Sequence, residues 1–234
     1  LEHPIDPKRK DKDGVIQVWE FPPPNRQTYG VYWAGIDIVA SSVSNTSPSL
    51  NSIHIYKGSH NLSDEYTEDR IVAKFMSRTS DKMDFYKKAM LLLEWYNAEA
   101  LIENNITWFI EEAIKSKEQF RLARNPQWAR DITPQGISHI NRPYGVLSGV
   151  KLIDKMIEAI SSYIKEPTYV TYDENTGEPT QHYGVERIRD LQLLRELINY
   201  RPKKEYEKGN YDAVFSFGLA LLHAKNSEVL GIIP

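Results

Sequence analysis

The sequence has no cysteine among its 234 residues and no apolar run long enough to cross a membrane. The first absence excludes disulfides, thiolate zinc sites and a thiol nucleophile, so any metal site must be built from carboxylates or histidines. The six histidines show no ligand spacing, which leaves the carboxylates. The second absence excludes a bilayer span, which needs about 20 apolar residues. The first residues also lack the apolar segment of a secretory signal, so we predict a protein that is neither secreted nor membrane-embedded.

Net charge is small as well. The chain has 29 Lys and Arg against 32 Asp and Glu, a net charge of −3, which excludes a generally basic nucleic-acid-binding protein. One region departs from this average, because between Gln119 and Gly149 four arginines accompany a single aspartate: Arg121, Arg124, Arg130, Arg142 and Asp131. Such a bias is typical either of a solvated loop surface or of a track for phosphates. Charge alone does not decide between them.

The most informative stretch is the apolar run Val31–Ala40, which a single charge, Asp37, interrupts. Its β-branched and aromatic residues predict a central strand that is buried on both faces. A carboxylate buried there without a partner costs several kcal/mol or is forced to protonate. Asp37 therefore requires compensation by an arginine, by backbone donors or by a metal ion.

Alternation and helical spacing divide the rest of the chain into strands and helices. Strands are predicted at 15–20, 31–40, 52–57, 70–76 and 98–105, with a further short one at 120–124. Helices are predicted at 81–96, after Asn105, at 149–165, at 185–198 and from 210 onwards. A β-hairpin is predicted between 169 and 183, and a long irregular loop between about 124 and 149. Small residues in the last helix indicate close packing against a sheet.

The order of these elements is that of the RNase H-like fold, so we predict an α/β domain with a mixed sheet. The sheet contains an antiparallel meander, helices flank it, and the hairpin is an insertion. Three acids stand in apolar surroundings: Asp37, Glu103 and Asp212. In that fold their strands are neighbours and the last helix begins beside them, so the three carboxylates would converge.

A cluster of three carboxylates cannot stay ionised alone, because like charges raise one another's pKa. Two Mg²⁺ or Mn²⁺ ions, roughly 3.5–4 Å apart, would remove that repulsion. They would also activate water and stabilise the leaving oxygen of a phosphodiester. Each acid has another explanation. Asp37 would pair with an arginine, Glu103 would belong to the following turn, and Asp212 would favour a helix N-terminus through the dipole.

Three segments resemble the nuclease motifs of the phage large terminase subunit, the DNA-packaging motor. They are GVYWAGIDIVASS (Gly30–Ser42), ALIENN (Ala100–Asn105) and GNYDAVFSFGLALL (Gly209–Leu222). The segment VIQVWEFPPP and the stretch Val185–Tyr200 also resemble that family. The likeness runs from about Asp13 to Lys225.

This resemblance implies a metal-dependent endonuclease that cuts concatemeric viral double-stranded DNA during packaging. Asp37, Glu103 and Asp212 would be the catalytic metal ligands, with two Mg²⁺ or Mn²⁺ ions as cofactors. Residues 1–14 would be a linker remnant and 15–234 the nuclease domain, since the family carries an ATPase domain earlier on the same polypeptide. The portal and the small terminase subunit would be partners in the host bacterial cytoplasm. The isolated domain would be monomeric.

One departure from the family concerns the second metal. Many members carry another acid soon after the first motif, whereas 41–51 has only hydroxyls and amides. Water, substrate phosphates, Asp131 or Asp190 would then complete that site. The charge bias motivates a DNA track formed by Arg124, Arg130, Arg142 and Lys151, with the hairpin 169–183 over the cleft. Such contacts carry affinity without sequence information.

Two alternatives remain open from the sequence. One is another nuclease of the same fold, such as a transposase or a Holliday-junction resolvase. The other is a module without catalysis, which docks the motor to the portal or clamps DNA and binds metal weakly because the serine-rich segment lacks a further carboxylate.

Overall fold

Five strands form one mixed sheet. They are β1 (Ile16–Val18), β2 (Tyr32–Asp37), β3 (Asn51–Lys57), β4 (Arg70–Ser77) and β5 (Glu99–Ile102). Their order across the sheet is β1-β4-β3-β2-β5. The strands β2, β3 and β4 pair antiparallel, which is the predicted meander, and β5 joins β2 in parallel.

The structure, a computed structural model, describes residues 16–24, 30–39, 50–58, 69–77, 82–132, 143–200 and 211–229. The predicted linker 1–14, most of the serine-rich segment 41–51 and Arg142 lie outside these residues.

Helices cover both faces of the sheet. They are α1 (Lys82–Tyr96), α2 (Trp108–Lys115), α3 (Gln127–Ile132), α4 (Val150–Lys165), α5 (Leu191–Asn199) and α6 (Asp212–Val229). The hairpin consists of β6 (Pro167–Tyr172) and β7 (Pro179–Tyr183). This arrangement confirms the predicted α/β fold with its inserted hairpin. No described helix is both long and apolar enough to pass through a lipid bilayer.

Two local predictions were wrong. The segment 120–124 is not a strand, because Gln119–Arg121 forms a single 3₁₀ turn and only isolated bridges follow it at Leu122 and Arg124. The predicted irregular loop contains the helix α3, six residues long. A helix this short shows no repeated apolar spacing, so periodicity gives no signal for it.

The side chains of β2 explain the burial of the sheet on both sides. Ala34 and Ile36 pack into a core formed with α1 and α2, whereas Trp33 packs into a second core formed with α4, α5 and α6. Every residue of β2 is buried. A strand with two covered faces requires a nearly continuous apolar run, which is why Asp37 is conspicuous in the sequence.

The helix α6 lies directly on β2 at Gly35. A Cβ atom built on Gly35 would lie 1.9 Å from the carbonyl oxygen of Ser216 and 2.4 Å from the backbone nitrogen of Ala220. Only a glycine allows backbone and backbone to approach so closely. This contact sets the depth at which the first turn of α6 meets the sheet.

Candidate active site

Asp37 and Glu103 lie at the carboxyl ends of two neighbouring parallel strands. Ile36 of β2 pairs with Ile102 of β5, and the backbone N–H of Glu103 donates to the carbonyl of Ile36 at 3.0 Å. The Glu103 carboxyl lies close enough to Asp37 to raise its pKa. Ligands of α/β proteins commonly bind at this edge, beyond the carboxyl ends of parallel strands.

Asp212 reaches the same edge from the opposite direction, as the first residue of α6. One turn further along, Ser216 contacts the sheet at Gly35, so the helix begins above the end of β2. The N–H of Leu50, immediately before β3, donates to Oδ2 of Asp212 at 2.7 Å. The structure thus brings Asp37, Glu103 and Asp212 together from separate parts of the chain.

The electrostatics of Asp37 are those of a carboxyl group surrounded by other carboxyl groups. Burial raises the pKa of Asp37 well above its usual range, and Glu103, Asp212 and Glu196 raise it further. Within the described part of the chain, the groups that act most strongly on Asp37 are acids, and no arginine is among them. Within the described residues, Asp37 is therefore not compensated by an ion pair with an arginine.

Glu196 is the member of this cluster that the sequence analysis missed. Its Oε2 accepts the backbone N–H groups of Ala213 at 2.9 Å and of Val214 at 3.2 Å. It therefore caps the N-terminus of α6 from another helix. Burial raises the pKa of Glu196 to about 7, and the Asp212 charge adds to the effect although the two backbone hydrogen bonds oppose it.

The apolar spacing of Val185, Ile188, Leu191, Leu194 and Ile198 predicts an amphipathic helix but gives no reason to select Glu196. Of these residues Ile188 is buried and Leu194 packs against the core, whereas Leu191 and Ile198 are 66% and 70% exposed. The buried side is formed by Leu193 together with Leu197 and Tyr200. The spacing i, i+4, i+7 through these three residues is also helical, and it places Glu196 beside the core.

We expect Glu196→Gln to flatten the dependence of metal-free stability on pH. A raised folded-state pKa means that stability is present below pH 4.5 and is lost as pH rises through about 7. The amide keeps an acceptor for the α6 N–H groups but does not ionise. At pH 8 its Tm should exceed that of the wild type by roughly 2–4 °C, or about 1 kcal/mol, because the side chain is only partly buried.

Thermal unfolding in chelator at pH 5, 6, 7 and 8 measures this effect. Glu94→Gln, on the exposed side of α1, is the matched control and should follow the wild type. Parallel curves for wild type and Glu196→Gln would contradict the prediction.

Asp190 does not complete a metal site, contrary to one of our suggestions. It is 1% exposed and it accepts hydrogen bonds from Lys74 Nζ at 2.5 Å and from His54 Nε2 at 3.0 Å. Its Oδ1 also caps α5 through the N–H of Gln192 at 2.9 Å. These bonds commit both carboxylate oxygens. The other suggestion, Asp131, lies exposed on α3 and accepts from Gln127 at 3.0 Å.

One of the predicted DNA-contacting cations, Lys151, lies near the site at the beginning of α4. Asn105 connects the beginning of α4 to the site, since its Nδ2 donates to Glu103 Oε1 at 2.8 Å and its Oδ1 accepts the N–H of Ser148 at 3.1 Å. Lys151 is exposed in the following first turn of α4. Arg130 is exposed on α3, which packs against α4.

Of the other two predicted cations, the structure describes Arg124 but not Arg142. Arg124 is exposed and its backbone bridges to Tyr144, next to the edge of β5. Arg142 lies outside the described residues.

The hairpin is attached at the opposite end of the sheet from the site, and not beside the cleft over which it was predicted to lie. It follows the C-terminus of α4, where Tyr163 donates to the carbonyl of Asp69 at 2.8 Å, just before β4. That point is the opposite end of the sheet from Asp37, because Arg70 pairs with Lys57 and Lys57 pairs with Tyr32. The sequence shows that a hairpin follows α4, but not at which end of the sheet a helix of 16 residues delivers it.

The chemistry of the carboxylates fits a divalent cation. Oxygen ligands from Asp and Glu are those that Mg²⁺ and Mn²⁺ prefer, and a cation would relieve the repulsion that raises the pKa of Asp37. Within the described ranges, no three histidine, aspartate or glutamate side chains are already spaced as a metal-binding set.

No protein-family model matches the sequence, and no curated protein sequence matches it. Among solved structures, the chain is similar to the large terminase nuclease from the thermophilic phage G20c, with 17% identity over 88% of this chain and 87% of that one, at a TM-score of 0.50. The same nuclease with bound zinc aligns with 16% identity over 88% and 86% of the two chains, at 0.49. Its form with bound magnesium aligns with 14% identity over 89% and 87%, at 0.36.

The first of these likenesses shows the fold. The chain has the RNase H-like fold of a large terminase nuclease, and the likeness extends over nearly the whole of both chains. The resemblance that the three sequence motifs carried is thereby confirmed at the level of the fold.

Proposed function

We propose that this chain is the nuclease domain of a phage large terminase subunit, a metal-dependent endonuclease that cuts concatemeric double-stranded DNA during genome packaging. The observation that carries the proposal is the convergence of Asp37, Glu103 and Asp212 at one sheet edge, where burial and the neighbouring acids raise the pKa of Asp37. Structural proteins have little use for such a repulsive cluster, whereas perturbed carboxylates are common at functional sites.

The three carboxylates would hold two Mg²⁺ or Mn²⁺ ions. When bound, such ions generate hydroxide near neutral pH and stabilise the charge on a transferring phosphate. The chain's own residues set the positions of the ligands. Asn105 donates to Glu103, the N–H of Leu50 donates to Asp212, and Glu196 holds the first turn of α6. Phosphodiester cleavage would leave 5′-phosphate and 3′-hydroxyl ends.

DNA would be contacted by Arg124, Arg130, Arg142 and Lys151. These contacts would address phosphates, so cutting would depend little on sequence. The wider assembly follows from the same proposal. The chain would work with an ATPase domain of its own polypeptide, with the portal and with the small terminase subunit, in the cytoplasm of the bacterial host.

We expect Arg130→Ala combined with Lys151→Ala to weaken duplex binding and to lower its salt dependence. Each lost phosphate contact should reduce the slope of log K against log salt by about 1, so the double variant should lose about 2. Fluorescence anisotropy of a labelled duplex in chelator measures both quantities without cleavage. Lys115→Ala, exposed on α2 at the other face of the sheet, is the control and should leave the slope unchanged.

A plasmid-nicking assay tests the proposed function directly. The domain is incubated with supercoiled plasmid and Mn²⁺, Mg²⁺ or chelator, beside an Asp212→Asn variant that is checked for folding by circular dichroism. Nicking that requires the metal and is lost in the folded variant supports an endonuclease. The absence of nicking together with the absence of metal binding by calorimetry would refute it.

The second candidate is a module that binds DNA or the portal without cleaving DNA. One observation favours it, namely that the carboxylates in the described residues do not stand as a ready set of three metal ligands. DNA binding without nicking in either metal, although calorimetry detects metal binding, would select this module.

A further inference from the structure

A chain of hydrogen-bonded polar groups runs beneath the site through the core. Lys74 Nζ lies 2.5 Å from Asp190 Oδ1, and Asp190 Oδ2 lies 3.0 Å from His54 Nε2. His54 Nδ1 lies 2.7 Å from Ser216 Oγ, which lies 2.6 Å from Ser52 Oγ. We call these five residues the buried chain.

The buried chain contains the Asp, His and Ser of a hydrolytic triad in the correct order, but it is not one. His54 and Ser216 are wholly buried and Asp190 is 1% exposed. No substrate reaches the Ser216 hydroxyl, and nucleophilic catalysis requires that contact. The buried chain therefore requires an explanation other than catalysis by its own residues.

The residue types determine which group donates and which accepts each hydrogen bond along the buried chain. A carboxylate only accepts, so His54 donates its Nε2–H to Asp190, and burial lowers the pKa of His54 and favours the neutral ring. Nδ1 is then an acceptor for the Ser216 hydroxyl, whose one hydrogen is shared between Nδ1 and the Asp212 carbonyl oxygen, and Ser52 donates to Ser216. All donors thus run in one direction from Ser52, and Lys74 neutralises Asp190 from the other side.

Two members of the buried chain, Ser216 and Asp190, lead to two carboxylates of the site. Ser216 lies one helical turn after Asp212, and its Oγ lies 2.8 Å from the Asp212 carbonyl oxygen. Asp190 caps the N-terminus of α5, the helix that carries Glu196. Glu196 in turn caps α6 through Ala213 and Val214. Each carboxylate-bearing helix is therefore fixed to β3 and β4 through the same buried group.

We propose that the buried chain positions Asp212 and Glu196 in the active site, with Ser216 and Asp190 as its positioning residues. This inference rests on the proposed function. Ser216 ties the first turn of α6 to β3, and Asp190 fixes the beginning of α5. Residues behind metal ligands typically influence metal affinity or activity by about 10- to 100-fold. We place the buried chain at the lower end of that range, because it acts through a helix turn.

The test compares two serines on the same helix. Ser216 Oγ lies 2.8 Å from the carbonyl four residues earlier, and Ser227 Oγ lies 3.0 Å from the equivalent carbonyl of His223. Of these two described serines, Ser216 alone also contacts His54 and Ser52. Ser216→Ala removes the tie between α6 and the buried chain, whereas Ser227→Ala removes only the local bond.

Two measurements on the intact chain decide the matter. We expect Ser216→Ala to weaken Mn²⁺ binding about tenfold by calorimetry and to accelerate amide hydrogen exchange in the first turn of α6 by at least about tenfold. Ser227→Ala should change neither. His54→Gln, which retains a donor and an acceptor, should lie closer to the wild type in both measurements than His54→Leu.

Unchanged Mn²⁺ affinity together with unchanged amide exchange in Ser216→Ala would overturn the proposal, whether or not the Tm falls. If the wild type binds no Mn²⁺, the proposed function fails on its own account. Hydrogen exchange then decides the positioning role alone, with faster exchange in Ser216→Ala supporting it and equal exchange overturning it.

Discussion

Asp37→Asn is expected to abolish metal-dependent DNA cleavage and at the same time to raise the Tm of the metal-free protein. Loss of the proposed metal ligand would remove several kcal/mol of transition-state stabilisation, which corresponds to a fall in rate of about 1,000-fold or more. The same substitution removes a buried group whose pKa burial and three other carboxyl groups hold above its usual range. Few positions should show opposite effects on activity and stability so clearly.

The sign of the stability effect follows from linkage. A carboxyl whose folded-state pKa is raised contributes stability at low pH that is lost as pH rises through that pKa. The gain from Asp37→Asn should therefore appear at pH 7–8 and vanish near pH 4. Nicking assays and thermal unfolding in chelator measure the two effects. Asp84→Asn, on the opposite face of the sheet, is the control for both. Retained cleavage, or a lower Tm at pH 8, would contradict the assignment of Asp37 to the site.

Gly35→Ala is expected to produce the largest loss of stability. The added Cβ would lie 1.9 Å from a backbone carbonyl of α6, and a backbone atom cannot rotate away as a side chain does. Overpacking a core costs about 1–3 kcal/mol and sometimes more. We expect the upper end of that range, or a fall in Tm of about 6–12 °C for a chain of this size.

The same substitution should also weaken metal binding, because displacing α6 moves Asp212 away from Asp37. Gly149→Ala is the matched control, since an added Cβ there meets nothing within 4 Å. Thermal unfolding and Mn²⁺ calorimetry compare the two variants. Equal Tm values for Gly35→Ala and Gly149→Ala would show that α6 does not rest on β2 as described.

The sequence predicted the parts of the site that depend on local pattern and element order. Asp37 and Glu103 each end an apolar strand, and the order of strands and helices implies that those strands are neighbours. Asp212 opens a helix rich in small residues, which indicates a close approach to the sheet. Gly35 carried a further signal, because a glycine inside a strand often marks a close backbone contact.

The missed features depend on tertiary geometry. Glu196 lies on the buried side of α5, which has two apolar stripes of similar spacing, and packing against α6 selects between them. Asp190 falls inside the helix predicted at 185–198, whereas it is the N-cap residue of α5, and only the fold brings His54 and Lys74 to it. Separations of 116 and 136 residues along the chain leave no trace in local composition.

The hairpin is attached at the end of the sheet opposite to Asp37, where the N–H of Gly184 donates to the carbonyl of Glu166. Its turn carries three exposed acids, Asp173, Glu174 and Glu178. Charges of one sign repel a polyanion over a Debye length of about 8 Å. A duplex bound at the carboxylate edge, as proposed, would therefore not be held by the hairpin turn.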